Sequence, residues 1–166
     1  MTEYIWEFGV DWNAVETDEV SYLRGGLASG NVALPGTTPV KINDTVTFRI
    51  FDITSSLPPD PRVASIDTFD IDSKAAVKGQ SADNALSNLH FTSTMITRDT
   101  APPPAGSGSK CFLTETVHAS WTLAPVVTVL DHVGRFLLTA HVQAKGTDDK
   151  VRSFRLDPEM VVGANE

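Results

Sequence analysis

Hydrophobic and polar residues alternate along much of this chain, most clearly over residues 40–54. There Val46, Phe48 and Ile50 alternate with Thr45, Thr47 and Arg49. A two-residue period belongs to a strand with one buried and one wet face. Asn43-Asp44 just ahead is turn chemistry and marks the strand's start. The same grammar opens the chain. Tyr4, Trp6, Phe8, Val10 and Trp12 share one side of a strand, with Glu7 and Asp11 on the other. Those aromatic residues read as core rather than as a ligand platform.

Elsewhere the signals are mixed. Gly25-Gly26, Gly30-Asn31 and Pro35-Gly36 punctuate residues 16–36, which predicts loops around one short strand at 21–24. Pro58, Pro59 and Pro61 force an extended connection. Residues 63–72 alternate weakly and predict an edge strand. Residues 81–86 predict one helical turn capped by Ser81. Residues 89–97 predict a strand with Leu89, Phe91 and Met95 on one face. Residues 99–110 carry three prolines and then Gly and Ser, and predict an exposed loop.

The second half is more regular. Residues 111–123 predict a long strand, with Val117, Ala119, Trp121 and Leu123 opposite Thr116, His118, Ser120 and Thr122. A brief apolar run follows at 126–130. Phe136, Leu138, Ala140 and Val142 alternate with Arg135, Thr139, His141 and Gln143 in a further strand. Residues 145–149 are turn chemistry, and Val151–Leu156 returns as a hairpin arm. Asp157-Pro158 breaks that arm, and 159–162 closes the fold.

About seven to nine short strands separated by Pro/Gly loops predict an all-β protein. The natural form is a two-sheet antiparallel β-sandwich of immunoglobulin-like kind, with a closed β-barrel as the alternative. Residues 1–166 make one domain, long enough to bury a real core. No internal repeat of fixed period appears.

Charge narrows the partners. A net charge of −8 with scattered Lys and Arg argues against nucleic acid and against an anionic membrane surface. No apolar run reaches the roughly 20 residues of a membrane helix. The N-terminal residues lack a signal-peptide pattern, and Cys111 is the only cysteine. Both point to the cytoplasm.

Candidate chemistry is sparse. His90, His118, His132 and His141 show no short metal-ligand spacing. The best pairing, His118 with His141, lacks a third ligand. Cys111 with His118 and Met95 or Met160 lacks the loop of a copper site. Asp67, Asp70 and Asp72 have the residue type for calcium without the loop spacing, and read as a solvated edge. There is no nucleophile elbow, phosphate loop or dinucleotide fingerprint. The sequence therefore predicts no catalytic residue, metal site or cofactor.

Two stretches carry a resemblance. Residues 39–53, and the ending Phe154-Arg155-Leu156-Asp157-Pro158-Glu159-Met160-Val161-Val162, resemble the bacterial inclusion-body protein family of PixA and AidA type. The resemblance covers about a sixth of the chain. It implies a small, cytoplasmic, β-rich protein without a catalytic site, and no particular functional residue.

The expected function is thus non-enzymatic: self-assembly, storage or partner binding through protein contacts. The alternative is a carbohydrate or small-ligand module. Its platform would be Thr116, His118, Ser120 and Thr122 beside Thr139, His141 and Gln143. Self-association is expected as a homo-oligomer pairing through a terminal strand, either 4–12 or 151–162.

Overall fold

The computed structural model describes residues 1–13, 20–22, 24–29, 32–34, 38–54, 62–75, 84–100, 111–112, 114–130, 133–156 and 159–163. In chain order the first strands are β1 (Glu3–Val10), β2 (Val20–Tyr22), β3 (Arg24–Ser29), β4 (Val32–Leu34), β5 (Thr38–Lys41), β6 (Thr45–Asp52) and β7 (Val63–Ala75). Then come β8 (His90–Thr92), β9 (Ile96–Arg98), β10 (Ala119–Leu123), β11 (Val127–Thr128), β12 (Gly134–Gly146), β13 (Val151–Leu156) and β14 (Glu159–Gly163).

These strands form an all-β sandwich of two packed sheets, one of them curled into a half-barrel. The first sheet runs β4-β3-β1-β6-β10-β9, and β11 also pairs with β6. The second is built on β12. That strand pairs along its length with β7, which carries β8 on its far side. On its other side β12 pairs with β13 at 140–145 and with β14 at 134–137. Strands β2 and β5 lie outside those two. Three pairs, β1 with β6, β13 with β2 and β14 with β5, are parallel; the others are antiparallel. No helix among the described residues is long and apolar enough to cross a membrane.

The period-2 strands form where alternation is cleanest. In β12 Phe136, Leu138, Ala140, Val142 and Ala144 are all buried. In β6 Val46, Phe48 and Ile50 face the same interior. Asn43 takes a positive φ of 69° in the turn before β6, a conformation asparagine tolerates. Asp44 fixes that turn by accepting the N–H groups of Thr2 and Lys41, each at 2.7 Å.

The core is aromatic at its centre. Phe8 and Phe48 of the first sheet meet Phe69 and Phe91 of the second. Ring centroids are 5.1 Å apart for Phe8–Phe69, 5.3 Å for Phe48–Phe69 and 5.8 Å for Phe48–Phe91. Tilted and edge-on contacts at these distances are favourable beyond their buried area. Asp52, at the end of β6, is fully buried. Its carboxylate accepts the N–H groups of Thr54, Arg62 and Val63 and the Thr54 hydroxyl. It therefore satisfies the backbone where the chain enters β7 in the other sheet.

Several expectations change. Residues 63–72 are an edge only in part, because β7 has β12 along one side and β8 covers the other at Thr68–Asp70. Their weak alternation comes from two register shifts against β12, which leave Ala64 and Asp67 without a partner. Each extra residue flips the inward face. The buried positions are accordingly Val63, Ile66, Phe69 and Ile71.

Residues 89–97 split instead of forming one strand. A 3-10 turn at Ser93–Met95 carries the chain from β8 in the second sheet to β9 in the first, and it leaves Met95 exposed. The strand expected over 111–123 begins only at Ala119. Gly25-Gly26 lies within β3 rather than ending a strand. The helical turn expected at 81–86 falls largely outside the described residues. Leu86 forms an isolated bridge with Val129.

Phe48→Ala is expected to cost about 3–5 kcal/mol of stability, measured by urea unfolding. A loss under about 1 kcal/mol would mean that Phe48 does not hold the sheets together.

Candidate functional site

The two halves of the expected polar platform do not meet. Ser120 and Thr122 belong to β10 in the first sheet; Thr139, His141 and Gln143 belong to β12 in the second. Each set alternates with core residues, Ala119, Trp121 and Leu123 in one case and Leu138, Ala140 and Val142 in the other. The polar sets therefore occupy the two opposite outer faces of the sandwich. His118 and His141 are parted in the same way, so this pair offers no shared metal site.

The outer face of the first sheet is covered by the chain itself. Phe112 and Val117 pack with Phe51 and Ile53 as a second small core, with Cys111 against it. Two glycines make room for this cover. A Cβ on Gly9 would lie 2.6 Å from Ile53 Cδ1 and 2.8 Å from Phe112 Cζ; one on Gly26 would lie 2.9 Å from Cys111 Sγ. Glu7, expected to face solvent, is fully buried beneath the cover and accepts the Cys111 N–H at 2.9 Å. Arg24 clamps the edge, pairing with Glu115 at 2.5 Å and lying over the Phe112 ring.

The platform residues on this face are engaged. Ser120 and Thr122 donate to Asp99 at 2.5 and 2.9 Å, and Arg49 pairs with the same carboxylate at 3.1 Å. His118 Nε2 donates to the Thr54 carbonyl at 2.8 Å. Thr116 is exposed and lies outside any strand.

Two groups on this face are electrostatically shifted. Burial first, and then the Glu7 charge and a hydrogen bond to Glu7, push the Cys111 thiol up to about 12. Such a thiol is a poor nucleophile, because the thiolate is the reactive form. Burial pushes Asp99 upward, but the bonds from Ser120, Arg49 and Thr122 and the Arg49 charge outweigh it. The net result holds Asp99 below the ordinary carboxylate value.

The outer face of the second sheet is different. The register aligns His90, Asp70, His141 and Arg155 in one row across β8, β7, β12 and β13. Thr92, Thr68, Gln143 and Ser153 form the next row, and Asp72 lies beside Thr139. All point away from the core, because their strand neighbours Phe69, Ile71, Phe91, Ala140, Val142 and Phe154 are buried. Each of these polar residues is exposed or half-buried. Asp70 contacts His90 Nδ1 through Oδ1. Asp67, at a bulge, accepts the Ser65 hydroxyl at 3.2 Å. The three acids thus have separate surroundings.

Thr139, His141 and Gln143 therefore stand on one polar surface, joined by Asp70, His90 and Arg155, which the sequence does not connect to them. Alternation along β12 was visible; the register that aligns β8, β7, β12 and β13 was not. Among the described residues no three His, Cys, Asp or Glu side chains converge as a ready metal site. An open groove of about 620 Å³ lies beside the β12–β13 turn, lined by Trp12, Asp148, Lys150, Val151 and Arg152. Several of its polar groups serve the fold. Arg152 donates to the Trp12 carbonyl, and Asp148 accepts the Trp12 indole N–H at 3.3 Å. Compared with known proteins, the chain matches no family model and no curated protein.

In the folded protein Cys111 is expected to react with a disulfide reagent at pH 8 at least roughly 100-fold more slowly than in urea. Glu7→Gln should speed the native reaction. Equal native and unfolded rates would show the thiol to be neither buried nor held protonated.

Asp99 is expected to add stability above its unfolded pKa and to lose it as pH falls through its lower folded value. The loss lies below about pH 4. Asp99→Asn should shrink the difference in unfolding free energy between neutral pH and about pH 3. An unchanged difference would mean that Asp99 has no linkage to folding.

Proposed function

We propose that this chain is a non-enzymatic contact protein that self-associates through the outer face of its second sheet. One observation carries the reading. The first sheet's outer face is covered by Cys111, Phe112 and Val117 and by Asp99, whereas the second sheet's presents two rows of polar side chains to solvent. This face is the outside of a sheet, where a macromolecule can lie, whereas small ligands take concave pockets. It carries both signs of charge, with Asp70, Asp72 and Lys74 on β7, Lys145 on β12 and Arg155 on β13. Mixed charge lets one patch face a copy of itself across a two-fold axis.

The terminal strands are not open edges, which favours a face over a strand edge for the contact. Strand β1 has β3 and β6 on its two sides, β13 has β12 and β2, and β14 has β12 and β5. The resemblance to inclusion-body proteins supports self-assembly. A lone, protonated cysteine is at home in a reducing cytoplasm.

Light scattering at roughly 100 µM should give a dimer or larger species, with an interface of about 1,200 Å² or more. Thr139→Arg with Gln143→Arg should weaken association at least tenfold, about 1.4 kcal/mol. Ile5→Lys, in the other sheet, should leave it intact. A parent that stays monomeric throughout, or a dimer indifferent to the double change, overturns the proposal.

A further inference from the structure

We infer that His90, Asp70 and His141 bind a divalent transition-metal ion of the zinc class on the outer face of the second sheet. The inference goes beyond self-association, because the ion is held within a single chain.

The register supplies the geometry. Asp70 lies opposite His90 of β8 on one side and His141 of β12 on the other. All three point outward, since Phe69, Ile71, Phe91, Ala140 and Val142 are buried on the inner face. The Ile71 N–H donates to the Leu89 carbonyl at 2.8 Å. In an antiparallel ladder that makes Asp70/His90 a non-hydrogen-bonded pair, the kind whose side chains approach more closely. Backbone groups alternate sides along a strand, so Asp70/His141 is the wider, hydrogen-bonded kind. The two histidine α-carbons are then about 10 Å apart with a carboxylate between them. Two imidazoles reaching inward can span that distance to one ion above Asp70.

The chemistry fits the ion. Two imidazoles and one carboxylate suit zinc and its first-row neighbours, whereas calcium and magnesium take oxygen ligands. His90 Nδ1 and Asp70 Oδ1 already face one another. A metal ion would bridge the two, each binding it in its deprotonated form. His141 supplies the third ligand. It must turn toward Asp70, because the three donors do not converge in the ion-free chain. His141 is only half-buried, so the cost is a side-chain rotation at a surface position. Three protein ligands leave a fourth position open to solvent.

Sequence spacing hides such a site. Asp70 precedes His90 by 20 residues, and His141 belongs to another region of the chain. Only the pairing of β8, β7 and β12 aligns the three. The ligand types singled out in the sequence, histidines and an Asp-rich strand, are present in a different grouping.

Zinc titrated into chelator-treated protein and followed by calorimetry should bind one ion per chain, with a Kd of about 10 µM or tighter, and should raise Tm. His90→Ala and His141→Ala should each weaken binding at least tenfold. These substitutions sit on the wet face, and circular dichroism confirms that the variants fold. In the parent, the imidazole NMR signals of His90 and His141 should move with zinc while that of His118 stays in place. Absence of saturable binding, one zinc per two chains, or parental affinity in both variants overturns the site. So does a zinc response at His118 in place of His90 and His141.

Discussion

Phe69 pressed against Phe48 across the sandwich is the contact from which the rest of the structure follows. Their ring centroids are 5.3 Å apart, and Phe8 and Phe91 complete the cluster. Between Val63 and Phe69, which both point inward, β7 absorbs two extra residues, Ala64 and Asp67, against β12, and these turn Ile66 inward as well. With Phe69 inward, Asp70 and Asp72 have to point outward, because neighbouring strand residues face opposite ways. Core packing on one side thus fixes which acids line the polar face on the other. The buried Asp52 carboxylate holds the start of the same strand through the Arg62 and Val63 N–H groups.

How much of this could be read from the sequence depends on how local each signal is. β12, β6 and β1 are legible because alternate residues face one core without interruption. β7 is obscure because its bulges reset the period, so Val63, Ile66 and Phe69 fall three apart. β3 is hidden by Gly25-Gly26, a pair that reads as a breaker. Gly26 sits in a strand because Cys111 lies over it, a contact between residues far apart in sequence. The cover at 111–118 is misread for a related reason. Val117 is apolar enough to continue a strand, but it packs in the separate small core on Phe51, Ile53 and Phe112.

The same distinction applies to the sites. Thr139, His141 and Gln143 share a polar face by period alone, and they do lie together on the outer side of β12. Thr116, His118, Ser120 and Thr122 share a period too, but no local rule says which sheet a strand enters. The structure places Ser120 and Thr122 across the sandwich, bound to Asp99. The row His90–Asp70–His141–Arg155 depends wholly on register between strands distant in sequence. A single chain of letters does not carry that information.

The contrast between the two outer faces has an energetic origin. On the first sheet Gly9 and Gly26 leave hollows, and filling them with Phe112 and Cys111 removes apolar surface from water. Glu7 is trapped beneath, and the Cys111 N–H compensates part of its desolvation. The second sheet's face offers no equivalent gain. Covering Asp70, Asp72, Arg155 and Lys145 with an apolar segment would strip water from four charged groups without replacing their partners. The sandwich therefore closes one face with its own chain and leaves the other hydrated.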